Sequence, residues 1–373
     1  MYYNHAQVFT PEGWMQGGFR VENGRFAELI PGYSGDGVDL DGARVVPGLV
    51  DIHTHGNSGA DFSDGKPEGL QKMAHYLALH GITSFLPTSM TLPYDTLAEA
   101  FQTAALLHAH REQNCARILG IHMEGPFFSE AKKGAQNSAF LKLPDYDSFI
   151  KLYHDCGDLI RIVDLAPELA GAAAFTEKAS KLCKVSVAHT DADYEQAAAV
   201  FNAGASHLTH LYNAMPGVHH RRPGVIGAAS ERENVVAELI CDGFHVHESA
   251  VRMAFRLFPE RICLISDAAR CCGMPDGEYE LGGQQTFLTD GVARLADGTI
   301  AGAASNLYED LKTAIRFGIP EDTAIRAATI IPAKEAGADA QAGSIEVGKW
   351  ADFLVCDEAW NLKMVCIEGS RIA

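Results

Sequence analysis

Short apolar runs alternate with amphipathic stretches through the middle of the chain. The runs are GLVDIHTH (48–55), GITSFLPTS (81–89), RILGIHMEG (117–125), LIRIVDLAPE (159–168), KVSVAHTDAD (184–193), ASHLTHLYNA (205–214), VVAELICDGFHV (235–246) and RICLISDA (261–268). Their length and β-branched content fit strands buried on both faces. Most are followed by a helical pattern, such as GLQKMAHYLALH after the first and DTLAEAFQTAALLHAH after the second. Eight strands alternating with helices over about 250–300 residues predict an α/β fold, a (β/α)8 TIM-type barrel, here spanning residues 47–342. The Gly-rich segment 277–302 predicts a hairpin insertion after the eighth strand, ahead of a last helix near NLYEDLKTAIRFG.

The two ends carry a different pattern. QVFTPEGW, GGFRVENGRFAELI and GVDLDGARVVPG read as short strands broken by turns, with Asn23-Gly24 as a hairpin signal. GSIEVGKWADFLVCDEAWNLKMVCIEGSRI near the other end reads alike. Neither end has enough strands to bury a face alone. Residues 1–46 and 343–373 are therefore predicted to pair in one small β-sandwich domain.

Composition narrows the class. With 373 residues, 47 % of them hydrophobic, the chain can build a full core. No stretch approaches the ~18 consecutive apolar residues of a membrane span. The opening MYYNHAQVFTPEGW lacks the basic and apolar regions of a signal peptide, so a cytoplasmic protein is expected. Nine cysteines, odd in number and without a Cys-x-x-Cys knuckle, fit reduced thiols, the adjacent Cys271 and Cys272 included. A net charge of −18 argues against nucleic acid or an anionic membrane as partner. It also requires that any anionic substrate find positive groups at its own site.

The chemistry begins at VVPGLVDIHTHG (45–56), which turns polar at Asp51, His53 and His55. Strand alternation places these three on one side, and two neighbouring imidazoles call for a shared partner such as a divalent cation. In a barrel of this kind, chemistry sits at the C-terminal strand ends. The other ends supply Glu124, His189, His210, His245 and Asp267. Singly, Glu124 fits a salt bridge, Asp267 a helix cap and His189 a satisfied interior histidine. Together, at successive strand ends, they point to a catalytic metal, Zn or Fe, with a position left open for water. His75, His80, His108 and His110 fall on outer helices. His207, three residues from His210, is predicted by alternation to face the other way, and His122 to serve packing or support.

GLVDIHTHG, HMEGPFF, AHTDAD, HLYNAMPG, PGVIGA, DGFHV, SDA and GTIAGAASNL occur here in the order in which they occur in the N-acetylglucosamine-6-phosphate deacetylases of the amidohydrolase superfamily. The resemblance spans nearly the whole chain. It implies a metal-dependent hydrolase that converts N-acetylglucosamine 6-phosphate to glucosamine 6-phosphate and acetate, in amino-sugar metabolism. By the same resemblance, Glu124, His189 and His210 hold the metal common to the family. Some members lack the His-x-His pair and bind one ion; retention of His53 and His55 implies two ions bridged by Glu124, with one as the alternative. Asp267 is implied as the acid/base. The implied substrate contacts are Ala135, Gln136, Asn213, Ala214, Arg221, His245 and Leu307, with Asn213 and Ala214 at the phosphate. Arg221, in the basic segment VHHRRPG, adds charge there, either within its own subunit or across a homodimer. Gln136 stands where some relatives have histidine. Competing readings are an N-acetylgalactosamine-6-phosphate deacetylase or another amidase on the same scaffold, and a catalytically silent barrel used in protein assembly. The silent form should have lost ligands, and none of the expected positions is missing.

Overall fold

The chain's two ends meet in one sheet. The computed structural model describes residues 1–373, and in it the strand Arg44–Pro47 runs parallel to Tyr2–Thr10 and antiparallel to Phe353–Cys356. On the near side the sheet continues through Gly13–Glu22 and Arg25–Pro31, and on the far side through Leu362–Ile367 and Ser370–Arg371. The Asn23-Gly24 turn joins two of these strands with both residues at positive φ, 52° and 75°, as a tight hairpin requires.

The expected two-sheet sandwich takes the form of a single sheet curled on itself. Phe26 and Phe353 lie four strands apart, a span of ~19 Å in a flat sheet. Their ring centroids are nevertheless 6.1 Å apart. Tyr3 and Phe19 pack between them, and main-chain bonds from Phe26 N–H to Lys349 O and Gly348 N–H to Phe26 O draw the free edge back. The curl buries these aromatics on one concave face, and the bonds to residues 348–349 partner the Phe26 edge.

The central part contains eight parallel strands, each followed by a helix. The strands are β1 (Leu49–Thr54), β2 (Ile82–Pro87), β3 (Ile121–Phe127), β4 (Ile160–Leu165), β5 (Lys184–Val187), β6 (His207–Leu208), β7 (Val236–Ile240) and β8 (Ile262–Ile265). The following helices are α1 (Pro67–Leu79), α2 (Tyr94–Ala109), α3 (Tyr146–Asp155), α4 (Ala172–Ala179), α5 (Tyr194–Asn202), α6 (Gly224–Ser230), α7 (Glu248–Leu257) and α8 (Leu307–Arg316). β1 and β2 belong to one parallel sheet, and β3 to β8 form another in chain order. Bridges at Thr88–His122 and Thr54–Ala268 link the edges of the two sheets. Apolar side chains of the strands and helices form one continuous core around them. Local signals set the helix starts: Asp193 and Gln196 form a capping box on α5, and Asn306 caps α8.

Between β8 and α8 the structure departs from the predicted hairpin. Residues 277–303 form a four-stranded antiparallel meander, Gly277–Leu281, Gln284–Thr289, Val292–Leu295 and Ile300–Ala303. Its last strand returns beside the end of β8, where Ala303 bridges Ala268. No helix is long and apolar enough to cross a membrane.

Candidate metal centre and active site

Three of the polar residues expected at the strand ends share a backbone device. β5, β6 and β8 end at Val187, Leu208 and Ile265, and two residues beyond each end stand His189, His210 and Asp267. All three adopt the left-handed conformation, with φ of 44°, 31° and 49°. This turn swings each side chain off the strand path into the space above the strands. Glu124 reaches the same space from within β3, and His53 and His55 from the end of β1.

The six side chains converge. Glu124 Oε1 lies 3.1 Å from both His189 Nε2 and His210 Nε2, and those two nitrogens are 3.1 Å apart. On the other side, His53 Nε2 and His55 Nε2 are 3.3 Å apart. They lie 3.7 Å and 3.5 Å from the two oxygens of Glu124. Asp267 Oδ1 faces this second pair at 3.2 Å from His55 and 3.5 Å from His53. Glu124 thus stands between two donor groups, each compact enough to hold an ion.

The outer nitrogens of three of the four rings settle their tautomers, while His210 Nδ1 has no partner. His53 Nδ1–H donates to Glu238 Oε2 (2.9 Å), His55 Nδ1–H to Thr88 O (3.1 Å) and His189 Nδ1–H to Lys132 O (2.9 Å). Carboxylates and carbonyls only accept, so the proton is fixed on Nδ1 and Nε2 carries a bare lone pair. Lone pairs that face one another and two carboxylates in a dry pocket repel unless a cation sits among them. The donor set therefore fits a divalent ion of the zinc or iron type. Burial opposes charge on His55, but without an ion the hydrogen bond to Asp267 and the charges of Glu124 and Asp267 outweigh it and raise its pKa to about 9, so that a proton takes the place on Nε2 that a bound cation would take. Burial likewise works against ionised Glu124, yet His189 and His210 hold its carboxyl well below the usual range.

A cavity of ≈ 310 Å³ opens over this cluster. Of the residues expected at the substrate, Ala135, Gln136, Asn213, Ala214 and His245 line it. His245 Nδ1–H donates to Asp242 Oδ2 at 2.7 Å, which leaves Nε2 of the neutral ring as an acceptor. Both ends of the Gln136 amide are engaged within the chain: Nε2–H donates to Glu124 Oε2 (2.5 Å) and Oε1 accepts from Thr91 N–H (2.8 Å). Two expected residues do not reach the cavity. Leu307, at the start of α8, is fully buried in the hydrophobic core. Arg221 is exposed on its loop, where its guanidinium meets His220 Nε2. The lining includes no lysine or arginine.

Other residues were missed or misplaced by the sequence pattern. Met90, Gly134, and Leu281, Thr299, Ile300 and Gly302 of the meander, complete the cavity wall; the GTIAG motif was a signal for the last three alone. Asp51 does not join the histidines, because β1 slips register after it and its carboxylate accepts from Ser266 Oγ–H at 2.6 Å. Burial pushes the Asp51 carboxyl up to about 7. His207 does not face away from the site: it and the His210 amide both bond Glu238. Alternation fails there because β6 stops at Leu208. A larger cavity of ≈ 730 Å³ lies near Phe9, Ile262 and Arg326, and none of the clusters compact enough to hold an ion lines it.

The chain matches the model of the amidohydrolase family over residues 44–372. It is 36 % identical over 360 residues to an N-acetylglucosamine-6-phosphate deacetylase of Vibrio furnissii, covering 94 % of this chain and 89 % of the relative. It is 33 % identical over 366 residues to an N-acetylgalactosamine-6-phosphate deacetylase of Escherichia coli O157:H7, covering 97 % of each. Among solved structures, it superimposes with a TM-score of 0.95 and 30 % identity on a mutant N-acetyl-D-glucosamine-6-phosphate deacetylase from Mycobacterium smegmatis in complex with N-acetyl-D-glucosamine-6-phosphate. That match covers 100 % of this chain and 99 % of the other.

Proposed function

The chain belongs to the amidohydrolase family, and on that premise we propose that it hydrolyses the acetamido group of N-acetylglucosamine 6-phosphate, releasing acetate and glucosamine 6-phosphate. The observation that carries this reading is the convergence of four imidazoles and two carboxylates on one point, with Nε2 of each ring directed into the site. Glu124, His189 and His210 would hold one ion, and His53, His55 and Glu124 a second. A divalent ion bound there lowers the pKa of water from about 15.7 towards ~7 and polarises an acyl oxygen.

The chain's own groups supply the rest. Asp267 accepts the proton of the attacking water and returns it to the amide nitrogen, because an amine anion is too poor a leaving group. Its carboxyl suits the first step: burial works against the charge, but the His55 hydrogen bond and the surrounding imidazoles keep it lowered, hence ionised. His245, an acceptor at Nε2, is assigned to a sugar hydroxyl. Asn213 and Ala214 are assigned to the phosphate end. The cavity wall offers that phosphate no cationic side chain. This favours Arg221 acting from a second subunit of a homodimer, where its fork suits a phosphate.

The same reading includes a closed (β/α)8 barrel, supported by the edge bridges at Thr88–His122 and Thr54–Ala268. It also includes a cytoplasmic setting, supported by nine cysteines that are all free thiols. We take residues 1–46 and 343–373 as the small domain and 47–342 as the barrel.

The test is acetate release from N-acetylglucosamine 6-phosphate before and after chelation, with metal counted per chain. Loss on chelation and return on metal addition are expected; turnover unaffected by complete removal refutes the reading. The galacto epimer is the second reading, favoured by the Escherichia coli relative, and comparison of kcat/KM on the two phosphorylated sugars decides between them.

A further inference from the structure

Beneath the ion-facing nitrogens lies a second polar cluster that the proposed reaction does not use. Its centre is Glu238 on β7, a fully buried carboxylate. Oε2 accepts from His53 Nδ1–H at 2.9 Å and from the His210 backbone N–H at 3.3 Å. Oε1 accepts from His207 Nε2–H at 3.1 Å, and His207 Nδ1–H donates in turn to Glu335 Oε2 at 2.8 Å. Beside them, His122 donates from Nδ1 to Ile52 O and from Nε2 to Asp164 Oδ1, both at 2.9 Å.

His53, His122 and Glu238 stand close enough together to resemble a further ion site. The hydrogen bonds exclude it. Every imidazole nitrogen directed at Glu238 carries a proton, so no lone pair is left for a metal. What the cluster does instead is hold a ring.

We propose that Glu238 is the positioning residue of the ion site, locking His53 in the Nδ1–H tautomer with its Nε2 lone pair aimed at the cavity. Without an acceptor at that place, the His53 proton is free to move to Nε2, and the ring to turn, either of which removes the donor. The full charge of a buried carboxylate also makes the ring a stronger base towards a cation. A neutral amide replaces it only in part, because Glu238 accepts on both sides, from His53 and from His207. An amide in its place presents an oxygen to one ring and an N–H to the other.

This inference rests on the proposed metal centre, and its test separates the two. Chelator-stripped wild-type enzyme, Glu238→Gln, His53→Asn and the double variant are titrated with Co²⁺ and followed by its visible absorption, with the thermal midpoint of each metal-free protein recorded. Glu238→Gln is expected to bind ~10–100-fold more weakly. The loss should shrink in the His53→Asn background, since the carboxylate acts through that ring. A merely structural role would lower the metal-free midpoint and weaken binding by the same factor in both backgrounds, which would overturn the proposal. Wild-type affinity in Glu238→Gln would overturn it as well, with the metal centre left standing. A wild-type enzyme that binds no cobalt overturns both. Should Glu238→Gln not fold, Glu238→Asp is titrated in its place. Withdrawal of the carboxylate by one methylene from His53 is expected to weaken binding, and undiminished affinity counts against the assignment.

Discussion

Replacing Asp267 with Asn removes a proton acceptor and one negative charge while the main chain around it stays tied. The Asp267 N–H donates to His53 O at 2.9 Å, and Asp267 O accepts from Ala303 N–H at 2.8 Å, so neither bond depends on the carboxylate. The side chain itself lies 3.2 Å from His55 Nε2, within reach of the second ion's ligands. An amide of the same shape keeps the packing but cannot take up a proton near neutral pH. One general acid–base group contributes about 10²–10⁴-fold to turnover. At 1.36 kcal/mol per decade this is ~3–5 kcal/mol of transition-state stabilisation. The carboxylate acts on protons in flight and not on the bound sugar, so the loss should fall on kcat and kcat/KM alike, with KM little changed. The assay is the initial rate of acetate release from Asp267→Asn and wild-type enzyme carrying equal metal per chain. Turnover within ~10-fold of wild type at matched metal removes Asp267 from the role. A loss confined to KM would make it a substrate-binding group.

Three further outcomes can be checked. Gln136→Leu leaves the buried Thr91 N–H without its acceptor, so stability should fall by ~1–3 kcal/mol in chemical denaturation. Because both ends of that amide bind the protein itself, KM for the sugar should hold; a large rise in KM with unchanged stability would place Gln136 on the substrate. Burial alone would depress the His207 pKa, but the bonds to Glu238 and Glu335 outweigh it and raise it from 6.5 to about 9. A folded-state pKa above the unfolded one gives stability that is fully present below pH ~6.5 and is lost as pH rises through ~9, here up to ~3 kcal/mol. Metal-free wild type should therefore lose more unfolding free energy between pH 6.5 and 9.5 than His207→Gln, and equal losses would contradict the buried charge. Arg221→Ala should weaken kcat/KM on the phosphorylated sugar by ~10–150-fold, the range of a charge-assisted hydrogen bond. Mixing it with Asp267→Asn should restore about a quarter of wild-type activity if subunits reassort at random; no recovery would place Arg221 in its own subunit's site.

Much of the fold was legible because each parallel strand is a short apolar run and each polar change marks its end. The pairing of the chain's two ends was legible for a related reason, since neither had strands enough to stand alone. What escaped the reading was geometry between strands. Nothing local records that the terminal sheet curls until Phe26 meets Phe353. Within VVAELI, Glu238 looks like one polar interruption of a buried strand, and only the neighbouring strands reveal three donors around it. His207 was misjudged because strict alternation assumed that β6 continues to His210, whereas the ladder stops at Leu208. Arg221 and Leu307 came from the resemblance alone, and the geometry of a single chain gives neither a place at the cavity.

His189, His210 and Asp267 each occupy a left-handed bend just past a strand end, and such bends cost of order 1–3 kcal/mol apiece for residues other than glycine. Histidine and aspartate tolerate them better than most, so conformation and chemistry favour the same residue types at these three positions. Glycine would sit there more comfortably still. Mutational drift to glycine at these bends would thus relieve backbone strain, set against lost side-chain bonds such as His189 to Lys132 O. Preservation of this cup depends on selection for turnover, and a descendant released from that demand would stay well folded while falling silent.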